Sequence, residues 1–210
     1  MKKQTIGVVD YDAGNLRSVE TALEYLNSDY IVSSDPETLN KTDKIIFPGV
    51  GDAGAAMGVL KLRGLDDFLK GWTTRGNFLL GICIGCQLLF EHSDERDTDC
   101  LGILSGNIPL FPADQRDETG QRFKVPHMGW NQVKQVGNHP LFKGIPDGAS
   151  FYFVHSYYPS PAEKGDVIGQ TEYMLKFDSA VARDNVMATQ FHPEKSGEHG
   201  LKMIQNYIEL

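Results

Sequence analysis

The chain has 210 residues, 40% of them hydrophobic, and a formal net charge of −8. That length and hydrophobic content suffice for one core, and we predict that residues 1–210 form a single domain. The acidic balance, with no Lys/Arg block longer than Lys2-Lys3, argues against nucleic-acid binding, and the apolar segments are too short to span a membrane.

The cysteine count and the N-terminus indicate the compartment. Three cysteines, an odd number, do not form a disulfide framework. The N-terminus reaches Asp10 and Asp12 after only a brief apolar run, which is not typical of a signal peptide. These features predict a soluble protein of a reducing compartment, the cytoplasm.

Apolar segments with strand-like and helical periodicity alternate in the first half of the chain. They predict strands at residues 5–10, 30–32, 44–47 and 78–82, and helices at residues 16–26, 53–62 and 65–74. This alternation is typical of a parallel α/β sheet, in which ligands bind beyond the carboxyl ends of the strands. Asp10-Tyr11, Pro48-Gly49-Val50-Gly51 and Cys83 all fall at such ends.

Polar loops and short alternating runs make up the second half. Residues 92–99 and 114–121 are polar, and we predict that both segments are loops. Antiparallel or mixed strands are predicted at residues 124–136, 150–158, 167–171, 174–177, 180–182 and 186–190, and a closing helix at residues 200–208. The predicted fold class is therefore α/β, with a mixed, mostly parallel central sheet flanked by helices.

The segment Gly81-Ile82-Cys83-Ile84-Gly85 joins an apolar strand to an apolar run with helical spacing. This layout is typical of a nucleophile elbow, with cysteine in the place where many hydrolases carry serine. The two glycines relieve the crowding that a sharp turn creates. The Cys83 sulfur would lie at a helix N-terminus, where the helix dipole favours a thiolate.

Two other interpretations of this segment are open. The turn can be a tight strand–helix junction with a buried, inert cysteine. Cys83 and Cys86 also form a Cys-x-x-Cys pair of the kind found in thioredoxin-like proteins.

The segment Gln190-Phe191-His192-Pro193-Glu194 contains the partners that a cysteine nucleophile needs. His192 can act as the base and Glu194 can orient it, with Pro193 stiffening the spacing. The order Cys, His, Glu is compatible with a catalytic triad, because triads are defined by geometry and not by sequence position. Taken alone, a histidine before a proline is usually a surface residue.

Acyl chemistry also needs backbone N–H groups that stabilise an oxyanion. The N–H of Ile84 can form one side of such a hole. The glycine-rich corner, with Gly49 and Val50, can form the other side, because glycine permits the backbone angles that turn an N–H inward. Without the elbow, this corner would be interpreted as a tight turn with no ligand.

Three motifs, in this order and at this chain length, resemble those of the class I glutamine amidotransferases. They are Pro48-Gly49-Val50-Gly51, the pattern Gly-Ile-Cys-x-Gly-x-Gln that ends at Gln87, and Gln190-Phe191-His192-Pro193-Glu194. The similarity covers essentially the whole chain. Within that family, residues 10–16, 124–131, 151–157 and 192–196 resemble the glutaminase subunits of imidazole glycerol phosphate synthases.

The resemblance implies that the chain hydrolyses glutamine. Cys83 would attack the side-chain amide, His192 would shuttle the proton and Glu194 would orient His192. Ammonia would leave, and water would release glutamate from the thioester. Five residues would hold the glutamine, the last two through their backbone: Gly51, Gln87, Glu95, Ser156 and Tyr157. The loop that carries Glu95 also offers Asp94 as an alternative.

The resemblance also implies a partner, a separate (β/α)₈ cyclase subunit that receives the ammonia. That subunit would form imidazole glycerol phosphate and aminoimidazole carboxamide ribotide, a step of histidine biosynthesis. Five residues would face it: Asn15, His127, Trp130, Tyr152 and Lys195. Core packing is the alternative for Trp130 and Tyr152, and a solvated charge is the alternative for Lys195.

The chain departs from the family at Ile84 and Cys86, where the family usually has Leu and Met. Ile84 would contribute only its backbone, so that change should be silent, and Cys86 would serve as a small core hydrophobe. No structural-zinc spacing or phosphate-binding loop occurs in the sequence, and we predict neither a metal nor a cofactor.

Other functions are also compatible with parts of the sequence. A paralogous glutaminase subunit would serve another synthase, such as a surface-sugar amidotransferase. A cysteine peptidase or chaperone-like relative would carry its base closer to the nucleophile. A regulatory subunit with a dead site would not need Cys83, His192 and Glu194 intact, and a thioredoxin-like oxidoreductase would leave the His-Pro-Glu segment unexplained.

Overall fold

The computed structural model describes residues 4–112, 116, 119–120 and 122–210. In this part of the chain the α-helices are α1 (Leu16–Tyr25), α2 (Pro36–Leu39), α3 (Ala53–Leu62), α4 (Leu65–Thr74), α5 (Ile84–Leu88) and α6 (Gly197–Glu209). The bounds of α3 and α4 are those predicted from the sequence. The short α2 was not predicted, and it begins where the Asp35 carboxylate accepts hydrogen bonds from two backbone N–H groups. No helix among these residues is long and apolar enough to cross a membrane.

The strands of the described residues are β1 (Thr5–Val9), β2 (Asp29–Ser33), β3 (Lys44–Gly49), β4 (Leu79–Cys83), β5 (His92–Ser93), β6 (Thr98–Asp99), β7 (Gly106–Ile108), β8 (His127–Gln132), β9 (Lys134–Gln135), β10 (Ser150–His155), β11 (Ser160–Pro161), β12 (Val167–Tyr173), β13 (Leu175–Arg183) and β14 (Val186–Thr189). A central sheet has the order β2-β1-β3-β4-β14-β13-β12-β9. Its strands from β2 to β14 are parallel, and the pairs from β14 to β9 are antiparallel. The predicted fold class, a mixed and mostly parallel sheet flanked by helices, is confirmed.

Two apolar clusters cover opposite faces of the central sheet, because successive side chains of a strand point to opposite faces. In β3, Ile46 belongs to one cluster, whereas Ile45 and Phe47 belong to the other. Helices α1 and α6 complete the first cluster, and α3, α4 and α5 complete the second. This layering leaves the carboxyl ends of the parallel strands at one edge, where β4 ends at Cys83.

The prediction of a loop at residues 92–99 was wrong in part. β5 and β6 pair there, and together with β7 and β11 they form a small four-stranded sheet. Strands of two residues are too short to show an apolar periodicity, so no pattern indicated them. The second predicted loop, at residues 114–121, lies largely outside the described residues.

β13 is one continuous strand where two were predicted. Asp178 and Ser179 interrupt the apolar pattern, yet both side chains are buried. The Ser179 hydroxyl accepts a hydrogen bond from Thr171 at 2.9 Å, and Asp178 accepts one from Gln170 at 2.8 Å. Because these polar groups find partners on the neighbouring β12, burial does not break the strand.

The run predicted as one strand at residues 124–136 forms β8 and β9. β8 pairs with β10 in an antiparallel ribbon that places His127 opposite His155 and Trp130 opposite Tyr152. Side chains along β8 alternate between the two faces, so that His127 is buried and Trp130 is 60% exposed. The ribbon therefore has one face toward the core and one toward solvent.

Candidate active site

The nucleophile elbow predicted at Cys83 is present as a strained turn. Cys83 has φ 55° and ψ −109°, a backbone conformation that is rare for a residue with a side chain. A Cβ on Gly85 would lie 1.8 Å from the carbonyl oxygen of Phe47, so only glycine lets α5 approach β3 this closely. The helix that follows the turn has five residues and is shorter than the apolar run suggests.

His192 and Glu194 follow β14, the strand next to β4, and parallel pairing of these strands brings them to the elbow. The His192 Nδ1 lies 2.7 Å from the Glu194 Oε1, and both side chains are fully buried. Asn15 donates a second hydrogen bond to the same oxygen at 3.1 Å. The backbone N–H of His192 donates to the carbonyl of Tyr152, which anchors this segment to β10.

The charge state of His192 follows from its neighbours. Burial lowers the pKa of His192, but the Cys83 sulfur and the Glu194 carboxylate outweigh that effect and raise the pKa to about 10. His192 Nε2 is buried and makes no hydrogen bond of ordinary geometry with any described residue, whereas its Nδ1 is held by Glu194. The raised pKa favours the imidazolium form of His192 beside the sulfur.

A pocket of about 230 Å³ opens beside the Cys83 sulfur. It contains eight of the residues predicted to bind glutamine, hold the oxyanion or attack the substrate: Val50, Gly51, Cys83, Ile84, Gln87, Glu95, Ser156 and Tyr157. Three further residues line it: Pro126, Val154 and His155. Segments distant in sequence thus converge on one cavity at the carboxyl edge of the sheet.

Of the two carboxylates that the sequence offered for glutamine binding, Glu95 and Asp94, only the first lines the pocket. Glu95 lines the pocket, and its Oε2 accepts a hydrogen bond from the backbone N–H of Ala53 at 2.7 Å. Burial raises the pKa of Glu95, and the nearby Asp52 adds to that shift. Asp94 instead accepts from the backbone N–H of Leu110 at 3.1 Å and does not line the pocket.

The glycine-rich corner packs tightly against Tyr11. β3 pairs Gly49 with Cys83, and a Cβ on Gly49 would lie 1.9 Å from the Tyr11 hydroxyl. Gly51 has φ 107°, a left-handed conformation that favours glycine. Val50, Gly51 and Ile84 all line the pocket, as the donors of a shared oxyanion hole must.

Sequence reasoning missed Gln190 as a site residue. Its side chain is fully buried, its Nε2 donates to the Cys83 sulfur at 3.7 Å, and its Oε1 accepts from Gln87 at 2.9 Å. Gln190 directly follows an apolar strand and precedes the His-Pro-Glu segment, and a polar side chain at the carboxyl end of that strand is the signal that could have identified it.

Comparison with known proteins decides the family. The model of the family described as glutamine amidotransferase class-I matches residues 8–210. The chain belongs to the class I glutamine amidotransferase family. The predicted family is therefore confirmed, and the thioredoxin-like alternative is excluded.

Relatives within this amidotransferase family are similar over nearly their full length. The imidazole glycerol phosphate synthase subunit HisH of Neisseria meningitidis is 47% identical over 207 residues, which cover 96% of this chain and 97% of that protein. The subunit of the same name from Maridesulfovibrio salexigens is 48% identical, covering 97% of this chain and 96% of that protein.

Solved amidotransferase structures share the fold. The structure of PurLQS from Thermotoga maritima aligns with a TM-score of 0.72 at 20% identity and covers 99% of this chain and 98% of the matched chain. A crystal structure of a glutamine amidotransferase aligns with a TM-score of 0.72 at 19% identity, covering 97% of each chain. At these identities the likeness concerns the fold alone.

The five residues predicted to face a partner divide into two groups in this amidotransferase. Trp130 and Lys195 are exposed, and Tyr152 is half-buried with its ring 6.1 Å from that of Trp130. Asn15 and His127 are buried in the free chain, so their place at a partner interface stays a prediction. Asn15 is held by Glu194, and the His127 ring stacks on Phe153 and Tyr173.

Cys86 occupies the second cluster of the core and has no exposed surface. Burial raises the pKa of the Cys86 thiol well above its usual value, and the neighbouring Cys83 adds to the shift. All three cysteines are free thiols. A protonated, enclosed thiol is typical of a small core hydrophobe and not of an attacking thiolate.

Proposed function

We propose that this chain is the glutaminase subunit of an imidazole glycerol phosphate synthase, which hydrolyses glutamine and passes ammonia to a (β/α)₈ cyclase subunit in histidine biosynthesis. The observation that carries the proposal is the Cys83 sulfur, set on a strained elbow beside the buried His192–Glu194 pair and open to the pocket. The relatives reported above are HisH subunits, which favours this function over the surface-sugar alternative.

Glutamine binding is assigned to the polar groups of the pocket. Gln87 lines the cavity, and its amide is held by the Tyr157 carbonyl and by Gln190, so we assign it to the wall against which the substrate binds. Glu95 offers a carboxylate for the α-ammonium group of glutamine. Gly51, Ser156 and Tyr157 line the same cavity, and we assign their backbone groups to the substrate.

Acylation begins with attack of the Cys83 thiolate on the side-chain amide carbon of glutamine. The carbonyl oxygen becomes an oxyanion, for which the backbone N–H groups of Val50 and Ile84 are proposed donors, with Gly49 setting the corner. His192 carries the proton that the leaving nitrogen needs, since its pKa is raised. Collapse of the intermediate breaks the C–N bond, releases ammonia and leaves a thioester on Cys83.

In hydrolysis of the thioester, His192 acts as a base where it acted as an acid during acylation. Neutral His192 takes a proton from water as the water oxygen attacks the thioester carbon. The C–S bond then breaks, glutamate leaves, and the thiolate–imidazolium pair is restored. Glu194 fixes the Nδ1 side of His192 throughout, so that Nε2 is the nitrogen that exchanges protons at the reaction centre.

A cyclase subunit is proposed to bind the solvent-facing side of β8. Trp130 stands exposed there beside Tyr152, and Met128 is exposed on the same face of the strand. A cluster of exposed apolar side chains on one strand face is typical of a protein interface. Lys195 is exposed and directly follows Glu194 in sequence, and it is also proposed to face the cyclase subunit.

The test compares two nitrogen sources in the reconstituted synthase. Cys83→Ala should abolish synthesis from glutamine and leave synthesis from added ammonia at the wild-type rate, because the cyclase reaction uses ammonia from either source. Cys100→Ala removes a half-exposed thiol outside the pocket and serves as the matched control, which should retain both activities. Loss of both activities in a folded Cys83→Ala complex would contradict the proposal that this chain hydrolyses glutamine while the cyclase subunit uses the ammonia.

A further inference from the structure

The backbone carbonyl of Tyr157, in the wall of the pocket, accepts two hydrogen bonds. Gln87 Nε2 donates to it at 3.2 Å and His155 Nδ1 donates at 2.7 Å. A carbonyl oxygen can only accept, so both partners must present an N–H to it. The Tyr157 carbonyl therefore fixes the orientation of one amide and the tautomer of one imidazole.

The amide branch runs from Tyr157 to the nucleophile. Because the amide nitrogen of Gln87 faces Tyr157, its second N–H is available for the Gln190 Oε1, 2.9 Å away. Gln190 must then present its oxygen to Gln87, which leaves its own nitrogen facing the Cys83 sulfur at 3.7 Å. The side chains of Gln87 and Gln190 are 1% and 0% exposed, so water does not offer an alternative partner for either amide.

The imidazole branch runs from the Tyr157 carbonyl away from Cys83, through His155 and His127. With its Nδ1 proton directed at Tyr157, neutral His155 accepts at Nε2 from His127 Nδ1, 3.0 Å away. His127 Nε2 in turn accepts from the Asn131 side chain at 3.3 Å. Burial lowers the pKa of His127 to about 4 and that of His155 to about 3, which keeps both rings neutral, as this donor order requires.

We propose that Gln190 is a further catalytic residue of this site, whose Nε2–H donates to the Cys83 thiolate in an orientation imposed by the Tyr157 carbonyl through Gln87. The inference rests on the proposed role of Cys83 as the nucleophile. A hydrogen bond to a charged sulfur stabilises the thiolate before attack and holds it in place. Two buried groups then stabilise the thiolate, the imidazolium of His192 and the amide of Gln190. Both belong to the segment that follows β14.

The test measures the thiolate directly, without substrate turnover. The rate of Cys83 alkylation by iodoacetamide is followed at pH 7 by peptide mass spectrometry, together with the ultraviolet absorbance of the thiolate. Gln190→Met removes the donor at similar volume and should slow alkylation about threefold to tenfold, since a charge-assisted hydrogen bond is lost. Gln190→Glu keeps an oxygen for Gln87 but places a carboxylate against the sulfur, and should slow alkylation by more than about tenfold.

Thr189→Val is the matched control. Thr189 is buried next to Gln190 in sequence, and its hydroxyl donates a hydrogen bond to the carbonyl of Phe191 at 3.1 Å. This variant should lose stability comparable to that lost by Gln190→Met while keeping the wild-type alkylation rate and thiolate absorbance. The comparison separates a packing role from a role at the sulfur.

The outcomes distinguish this proposal from the proposed function. A folded Gln190→Met or Gln190→Glu variant that is alkylated at the wild-type rate would overturn the role of Gln190. Gln190→Glu keeps the acceptor for Gln87 and the side-chain volume, so it carries the test if the methionine variant does not fold. If the Gln190 variants are alkylated more slowly than the wild type but the wild-type synthase releases no glutamate from glutamine, the role of Gln190 at the sulfur would stand and the proposed glutaminase function would be refuted.

Discussion

The Nδ1 of His192 lies 2.7 Å from the Oε1 of Glu194, in a part of the site from which solvent is excluded. A buried carboxylate without a partner is costly, and Glu194 has two donors for this oxygen, His192 and Asn15. The hydrogen bond and the negative charge of Glu194 both help to raise the pKa of His192. The imidazolium therefore persists to a higher pH than that of an ordinary histidine.

Glu194→Gln should test this relationship. The substitution keeps the shape but removes the charge, so the pKa of His192 should fall and its proton should be lost at lower pH than in the wild type. We expect kcat for glutamine hydrolysis to fall about 100-fold, as for the loss of a group that orients a general base. The pH–rate profile and NMR titration of His192 measure both effects. Glu198→Gln, at an exposed position of α6, should leave both unchanged.

Glu95→Gln should raise KM for glutamine about tenfold or more with a smaller effect on kcat, because it removes the carboxylate assigned to the substrate ammonium. Since the pKa of Glu95 is raised, wild-type KM should begin to increase at a higher pH on acidification than an ordinary glutamate would allow. The variant should lack that dependence. Asp94→Asn alters a carboxylate outside the pocket, and a comparable change in its KM would show that the assignment of Glu95 is wrong.

Gly85→Ala should destabilise the elbow. The new Cβ would lie 1.8 Å from the backbone carbonyl oxygen of Phe47. Because both atoms are fixed to the backbone, no side-chain rotation can relieve this clash. We expect a loss of about 3 kcal/mol in the free energy of unfolding, measured by urea denaturation. Gly58→Ala, in open space on α3, should instead gain up to about 1 kcal/mol, because alanine favours a helix. Equal stabilities of the two variants would mean that the close approach at the elbow is not required.

Trp130→Ala should weaken binding of the cyclase subunit about tenfold or more, as expected for an aromatic anchor at an interface. Trp130 is 60% exposed in the free chain, so its removal should leave the melting temperature nearly unchanged. Titration calorimetry with the cyclase subunit gives the Kd. Leu62→Ala, at a position 86% exposed on α3, is the control for loss of an exposed apolar side chain and should bind normally.

Local patterns predicted much of the architecture. α3 and α4 have the predicted bounds, because their apolar residues repeat with helical spacing and glycine or a polar residue stands at each end. β13 was divided in the prediction because Asp178 and Ser179 interrupt the apolar pattern. Their partners lie on β12 and on Lys164, and no pattern within β13 reveals them.

The same distinction applies to the site. The motif around Cys83 and the His-Pro-Glu segment indicated which residues converge, and the pocket contains those assigned to glutamine. Burial was not predictable from these motifs, since Asn15 and His127 are enclosed by residues distant in sequence, among them Glu194, Phe153 and Tyr173. The role proposed for Gln190 depends on hydrogen bonds to Gln87 and Cys83, which are formed only in the folded chain.

The most direct test of the proposed function is glutamate release from glutamine by the purified chain, measured alone and with the cyclase subunit and its ribotide ligand. We predict strong stimulation by that partner, and its complete loss in Cys83→Ala. Hydrolysis that does not respond to the cyclase subunit would contradict the assignment to imidazole glycerol phosphate synthase, and the absence of hydrolysis in both states would contradict the glutaminase itself.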